Sequence, residues 1–243
     1  MSGRTIFIGD VQGCLTELKL LLDRVQLGQE DQCCFVGDLV NRGPDSLGVL
    51  RLFQELGGIS VLGNHEAQLL KRGFFQDPGD RQDWGPLSPL AQAPDRKQLG
   101  QLITGFPLLL CFPGVILVHA GLPPSLWDGH KEQLEAWDGK TLDPSKENEE
   151  VSFILSARYC DPSGKRPPRD YPPPGPPFQP WDHYYRGKPR VVFGHWARRG
   201  LVRTPKVLGL DSGCVYGGKL SAWIKEEDRI VQVNARKAYW PIS

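Results

Sequence analysis

The stretch "IFIGDVQGC", residues 6–14, runs from three consecutive apolar residues into Gly9-Asp10 and on to a second glycine, Gly13. A short apolar run of β-branched and aromatic types, ended by glycine, reads as a buried strand that turns sharply into the next element. Beyond it Leu15, Leu18, Leu21, Leu22 and Val25 share one face at helical spacing. The fold therefore opens as strand, Gly-Asp turn, helix. A carboxylate leaving such a strand is either a turn or helix cap, or the first ligand of a metal–phosphate site. Gln12 stands two places after Asp10, where a second ligand belongs, and its amide oxygen is a neutral, weaker donor than imidazole.

The opening pattern recurs. Cys33–Val36, Ile59–Leu62, Leu108–Phe112, Val115–Val118, Arg190–Phe193, Val207–Leu210, Leu220–Ile224 and Ile230–Val233 are further short apolar runs, all read as strands. Leu47, Leu50, Leu52 and Phe53 supply a second helical face. A β-α-β-α-β first half and a strand-rich last third predict an α/β fold of two packed mixed sheets flanked by helices, an αββα sandwich. With 243 residues, one domain accommodates the whole chain.

Two segments interrupt this core. Residues 71–105 carry charges, glycines and prolines and predict a small helical cap. Residues 161–180, "DPSGKRPPRDYPPPGPPFQP", exclude helix and central strand and predict an extended surface loop that serves as a stiff connector, in preference to a docking site for a proline-recognising partner.

Bulk charge narrows the partners. Lys plus Arg number 29 against 28 Asp plus Glu, so nothing points to DNA or an anionic membrane surface, and phosphate binding requires a local cluster. The longest apolar runs are too short to cross a bilayer. No signal-peptide pattern precedes the first strand. The six cysteines show no paired zinc spacing, and most lie beside apolar residues, so they read as buried free thiols of a cytoplasmic protein.

Polar residues gather where these strands end: Gly9-Asp10, "GDLVNRG" (37–43), "GNHE" (63–66), "VHAG" (118–121), "RYC" (158–160) and "GHW" (194–196). Each alone is weak, since Asp after a strand often caps a turn and a single His often sits satisfied in a core. Together they supply the carboxylates, amide and imidazoles that a pair of divalent ions requires, and imidazoles suit manganese, iron or zinc better than magnesium.

In this order the motifs resemble the calcineurin-like metallophosphoesterases, and most closely their phosphoprotein-phosphatase branch. "GDVQGCL", "GDLVNRGP", "LGNHE", "APDR" (93–96), "LVHAGLPP", "RYC", "FGHW" and "LDSGCVYGG" are similar to the bacterial symmetrical diadenosine tetraphosphate hydrolases, over residues 5–225. The resemblance implies a dinuclear centre, with manganese first and cobalt, iron, zinc or magnesium as alternatives. Asp10 and Asp38 would serve the first ion, with Asp38 bridging. Gln12, where most of the superfamily has His, is expected as a direct or water-mediated ligand of a weakened first site, the alternative being a local hydrogen bond only. Asn64, His119 and His195 would complete the second. Arg42, Asn64, His65 and Arg158 would surround the phosphate, and His65, Arg42 and Arg158 would act in catalysis.

The implied reaction is hydrolysis of diadenosine tetraphosphate to two ADP by a water activated between the ions, and by the same chemistry of other nucleoside polyphosphates, including capped RNA ends. The family's His65 equivalent pairs with an Asp, where this chain has Asn41. An amide cannot hold an imidazolium by charge, which weighs against a phosphomonoesterase or Ser/Thr protein phosphatase, whose leaving group needs a proton. A catalytically silent binding module is the remaining alternative, disfavoured by the retained ligand set. For the bases, Trp196 and Tyr216 are the first stacking candidates, with Trp181, Tyr184 and Tyr185 behind them. Arg72, Arg81 and Lys97 in the cap are either distal-phosphate contacts or a solvated basic face, and Asp211 either orients a ligand His or ends a strand.

Overall fold

The computed structural model describes residues 3–77, 84–143 and 148–241. β1 (Thr5–Ile8), β2 (Gln32–Phe35) and β3 (Ile59–Ser60) lie parallel, joined by α1 (Leu15–Val25) and α2 (Ser46–Glu55). Helix α1 forms because Leu18, Leu21, Leu22 and Val25 present one apolar stripe, all of it buried. It stops at Gln26, whose left-handed backbone (φ 53°) lets its N–H close on the carbonyls of Asp23 and Leu22. Asp45 caps α2 by accepting from the Gly48 N–H. Helix α3 (Asn64–Lys71) follows β3, and α4 (Ser88–Ala91) and α5 (Arg96–Thr104) occupy the segment expected to be a cap.

β4 (Leu109–Phe112) and β5 (Val115–Val118) form a hairpin, followed by α6 (Lys131–Glu135) and α7 (Glu149–Ser156). β6 (Tyr159–Cys160) and β7 (Gln179–Pro180) pair with each other and bracket the proline-rich loop. β8 (Arg190–Phe193), β9 (Val202–Arg203) and β10 (Val207–Gly209) join the hairpin, and β11 (Lys219–Ile224) and β12 (Arg229–Asn234) return to β1. Among the described residues the result is two mixed five-stranded sheets, ordered β12-β11-β1-β2-β3 and β4-β5-β8-β10-β9. This is the expected α/β sandwich.

Alternation along the strands explains the layering. Phe7, Cys34, Val115, Leu117, Val192, Leu208 and Trp223 point from both sheets into one buried cluster between them. Their neighbours Ile6, Ile8, Cys33, Phe35, Ile116, Val191 and Phe193 point the other way, into the helix-covered core. Central strands buried on both faces need such continuous apolar runs. Phe7 links the sheets: it meets Phe112 edge-on and stacks on Trp223, each at 5.4 Å between ring centroids, contacts worth about 0.5–1.5 kcal/mol apiece beyond burial.

Helix α4 packs on α2 and α5 on α3. No described residue of 71–105 lines the cavity at the strand ends, so this segment, as described, buttresses helices and leaves the site uncovered. Arg81 lies outside the described residues. The six cysteines are free, five of them buried and Cys111 partly so. Among the described residues no helix is long and apolar enough to cross a membrane.

Candidate active site

Six strands deliver the polar residues from their carboxyl ends. Asp10 follows β1, Asp38 follows β2 and Asn64-His65 follow β3, all from the first sheet. His119 follows β5, His195 follows β8 and Asp211 follows β10, all from the second. Each trio stands on mutually parallel strands, so each sheet delivers its three at one end, and the two ends meet. Close approach depends on glycine: a Cβ on Gly63 would lie 2.3 Å from Asp38 Oδ1, and one on Gly194 would lie 2.1 Å from Asp10 Oδ1. Asp38, Asn41, Arg42 and His195 all hold positive φ, between 52° and 80°, a concentration of backbone strain typical of functional sites.

At the centre, imidazole nitrogens converge with amide and carboxylate oxygens, and His195 Nδ1 is placed to donate to Asn64 Oδ1. His119 Nδ1 donates to the Val36 carbonyl at 2.8 Å, so Nε2 of the neutral ring carries a lone pair. That nitrogen faces Asn64 Oδ1 at 2.9 Å and Asp38 Oδ1 at 3.5 Å, both acceptors. His195 Nδ1 meets the same Asn64 oxygen at 2.7 Å, while its buried Nε2 has no partner. Burial pushes the His195 imidazole well below its ordinary value, keeping it neutral and available as a ligand. Nitrogen and oxygen donors of Asp38, His119 and His195 lie within 4.8 Å of one another. Its mix of imidazole and carboxylate suits a first-row divalent ion. The residues present therefore fit the second metal site, with the carbonyl on His119 Nδ1 fixing the ring as an outer partner does in metal centres.

The other side is acidic. Asp10 is 3% exposed and accepts the His195 N–H with both oxygens at 3.1 Å. Its pKa is raised well above the usual carboxylate range by burial, then by Asp211 and Asp38. Asp211, bonded to the Gly213 N–H, is pushed up to about 7, mainly by burial. Buried carboxylates crowded together call for a cation, which fits the first site. Asp38 is the exception: burial pushes its carboxyl up, but His119, His65, the His65 backbone N–H and Arg42 together hold it below its ordinary value.

Glu66, which sequence reasoning quoted within "GNHE" without a role, is fully buried and accepts from the backbone N–H of Asp38 at 2.9 Å and of Val40 at 3.0 Å. It fixes the loop carrying Asp38.

His65 sits between two amides. The Asn41 Oδ1 is taken by the Arg42 N–H at 2.8 Å, so its Nδ2 is left to donate to His65 Nδ1, also at 2.8 Å. The proton of a neutral His65 is then on Nε2, which lies 3.3 Å from the Gln12 side-chain amide and 3.7 Å from Asp38 Oδ2. Burial lowers the His65 pKa, opposed by Asp38.

Gln12, Asp38, Arg42, Asn64, His65, Arg158, His195, Trp196, Asp211 and Tyr216 all line one cavity of about 560 Å³, within the range of small-molecule sites. Asp10 and His119 stand buried behind it. The Arg42 guanidinium hydrogen-bonds the Tyr216 hydroxyl, and Arg158 pairs with Asp170 at 3.1 Å. Trp181 and Tyr185 are core residues, 0% and 1% exposed, and Tyr184 stacks on Trp127, so these three are not base platforms. Arg72 and Lys97 are not part of the cavity wall. Asp170, Tyr171 and Pro173 are, which makes the proline-rich loop a wall of the site and corrects its reading as a connector alone. No sequence pattern marked Asp170 or Tyr171, since only tertiary docking brings that loop to the strand ends.

A two-sheet α/β sandwich with carboxylates, an amide and imidazoles at the meeting strand ends, flanked by two arginines, defines a metal-dependent phosphoesterase. The sequence profile of the calcineurin-like phosphoesterases matches residues 3–199, and the chain belongs to that family, for which a dinuclear divalent centre is implied. It is similar to the symmetrical bis(5'-nucleosyl)-tetraphosphatases of Aromatoleum aromaticum, 34% identical over 95% of this chain and 96% of the relative, and Thioalkalivibrio sulfidiphilus, 36% identical over 88% and 92%. A crystal structure described as that of a candidate diadenosine tetraphosphatase superposes with a TM-score of 0.71 at 33% identity, covering 97% of this chain and 95% of that one. A protein serine/threonine phosphatase from Saccharomyces cerevisiae shares the fold at 13% identity, TM-score 0.62, over 96% of this chain and 80% of its own.

Proposed function

We propose that this chain is a cytoplasmic, metal-dependent hydrolase that cleaves diadenosine tetraphosphate symmetrically into two ADP, with manganese as the preferred ion. The names of its relatives support this substrate. The observation that carries it is the convergence of Asp38, Asn64, His119 and His195 at a cavity that Arg42 and Arg158 also line.

Asp10, Gln12 and Asp38 would hold the first ion, and Asp38, Asn64, His119 and His195 the second. When bound, the ion pair supplies a nucleophilic water near neutral pH and neutralises phosphoryl charge. Arg42 and Arg158 grip the phosphate oxygens, each guanidinium offering a planar fork of donors. Tyr216 holds the Arg42 fork in place through its hydroxyl. His65 acts as a neutral donor to the phosphate and leaving oxygen: Asn41 keeps its proton on Nε2, and the residue lines the cavity. That donor suffices for ADP, a stabilised anion, whereas a serine alkoxide would need full protonation. Asn41 thus favours phosphoanhydrides over phosphoserine. Gln12 joins the first site through its oxygen. In the structure the Gln12 Nε2 stands 3.5 Å from Asp38 Oδ2 and 3.3 Å from His65 Nε2, so turning the amide over would bring its oxygen to the ion. Capped RNA ends present the same anhydride and fall within the same chemistry.

Product analysis tests the reading. Purified protein with manganese and diadenosine tetraphosphate should yield ADP alone by chromatography. ATP plus AMP would place the arginine clamp one phosphate out of register. Hydrolysis of phosphopeptides in preference to the dinucleotide would overturn the substrate assignment.

A further inference from the structure

Four aromatic rings line the cavity, Tyr159, Tyr171, Trp196 and Tyr216. Trp196 is only 7% exposed; the Arg199 guanidinium lies 4.8 Å from its ring centroid, and Tyr159 meets it edge-on at 4.8 Å. Arg199 is itself committed to Asp182, with bonds of 2.6 and 3.0 Å. Tyr216 is engaged with Arg42 through both its hydroxyl and its ring. Neither ring offers an open face of useful size. Tyr171 does: it is 61% exposed and lines the same cavity. The Arg198 guanidinium lies 4.1 Å from its ring centroid, and among the described residues Arg198 makes no ion pair.

A phenol ring backed by a guanidinium is a platform for a flat, electron-rich heterocycle, since base–aromatic stacking and cation–π attraction add together. The loop that carries Tyr171 is not free to drift. Asp170, its neighbour, pairs with Arg158 at 3.1 Å, and Arg166 bonds the Ser152 and Ser156 hydroxyls of α7 at 3.1 and 3.0 Å. Arg158 also reaches the His195 carbonyl at 3.4 Å. The chain of contacts therefore runs from a metal ligand, through a phosphate-clamp arginine, to the residue beside the open ring. A substrate with phosphate at Arg158 and a base a few bonds further on would meet Tyr171.

We propose that Tyr171 and Arg198 form the platform for a purine base of the dinucleotide, on the wall of the cavity that the metal ligands share. This rests on the substrate reading above and deepens it. The carboxylate of Asp170 holds Arg158 until a phosphate takes its place, so the same loop senses phosphate through Asp170 and base through Tyr171.

The test compares two substrates, diadenosine tetraphosphate and inorganic tripolyphosphate, which has the anhydride and no base. Tyr171→Ala and Arg198→Ala should each raise KM for the dinucleotide, Tyr171→Ala between about 5- and 100-fold, the range of a single base–aromatic contact. Their kcat should stay within about twofold, since neither residue touches the reacting phosphorus. Tripolyphosphate kinetics should not change, and Tyr171→Trp should restore the dinucleotide KM. An unchanged dinucleotide KM in Tyr171→Ala overturns the platform while leaving the substrate reading intact. A parallel rise with tripolyphosphate also overturns it, and assigns Tyr171 to loop packing. Wild-type protein that hydrolyses tripolyphosphate but not the dinucleotide removes the substrate reading and the platform together.

Discussion

Gln12 shows how much one side chain decides. Its backbone lies in the left-handed region (φ 45°), 5% exposed, with the amide between His65 and Asp38. An imidazole there would be a stronger ligand for a first-row divalent ion than an amide oxygen. Gln12→His should therefore lower the half-saturating manganese concentration for activity, on the order of 10-fold, with little change at saturating metal. Titration of activity against manganese checks this. An unchanged half-saturation would mean that Gln12 serves only as the acceptor for His65. Residue identities of this kind were legible before the fold was known, because Asp10, Gln12, Asp38, Asn64 and His65 sit in short motifs at the ends of apolar runs. Tyr171 and Asp170 were not legible. They lie in a segment whose composition excludes regular structure, and whose place at the site depends on long-range anchors at Arg158 and on α7.

Elements were read well where burial on both faces produces an unbroken apolar run, as in β1, β2, β5 and β8, and less well at edges. The run Ile59–Leu62 forms a strand only at Ile59–Ser60; beyond it the Leu62 N–H leaves β2 for the Pro107 carbonyl at 2.7 Å. What ties the outer elements to β1 was also invisible in the pattern. Arg4, just before β1, binds Asp31 before β2 with its backbone N–H at 2.8 Å and its guanidinium at 2.6 Å, and reaches Glu227 in the β11–β12 turn at 3.0 Å and the Gln26 carbonyl after α1 at 2.9 Å. These bonds hold the Asp31 carboxyl well below the usual carboxylate range. A depressed folded pKa contributes stability above the unfolded value of about 3.9, and that contribution is lost as pH falls. Asp31→Asn should cost about 1–2 kcal/mol at pH 7, the pair being only partly exposed. The gap to wild type should narrow below pH 4, as Asp31 begins to protonate in the unfolded chain while the folded carboxyl stays ionised. Urea unfolding at pH 7 and 3.5 checks it, and a gap independent of pH would show that packing, not charge, holds this corner.

At the scale of the whole molecule, the site is where two sheets are forced together by their polar ends. Asp10 and Asp211 are buried with raised pKa values, Asp211 at about 7, and Glu66 is raised to about 8 by burial and by Asp38. Groups with raised folded pKa bind more protons folded than unfolded, so stability falls as pH rises from about 4 toward 8. Divalent ions reverse that sign, because they bind the deprotonated carboxylates and only in the folded protein. Chelator-treated protein should accordingly lose thermal stability between pH 5.5 and 8. Manganese at about 100 times its Kd should return about 2.7 kcal/mol, a Tm gain of about 5–10 °C for a chain of this size, and more at pH 8 than at pH 5.5. Thermal unfolding at the two pH values, with and without manganese, measures both effects. Equal manganese shifts at the two pH values, or none, would mean that the crowded acids are held by hydrogen bonds alone. The predicted crossing, a fold weakened by its own carboxylates and restored by the ion, follows from placing six strand ends around one charge they do not themselves supply.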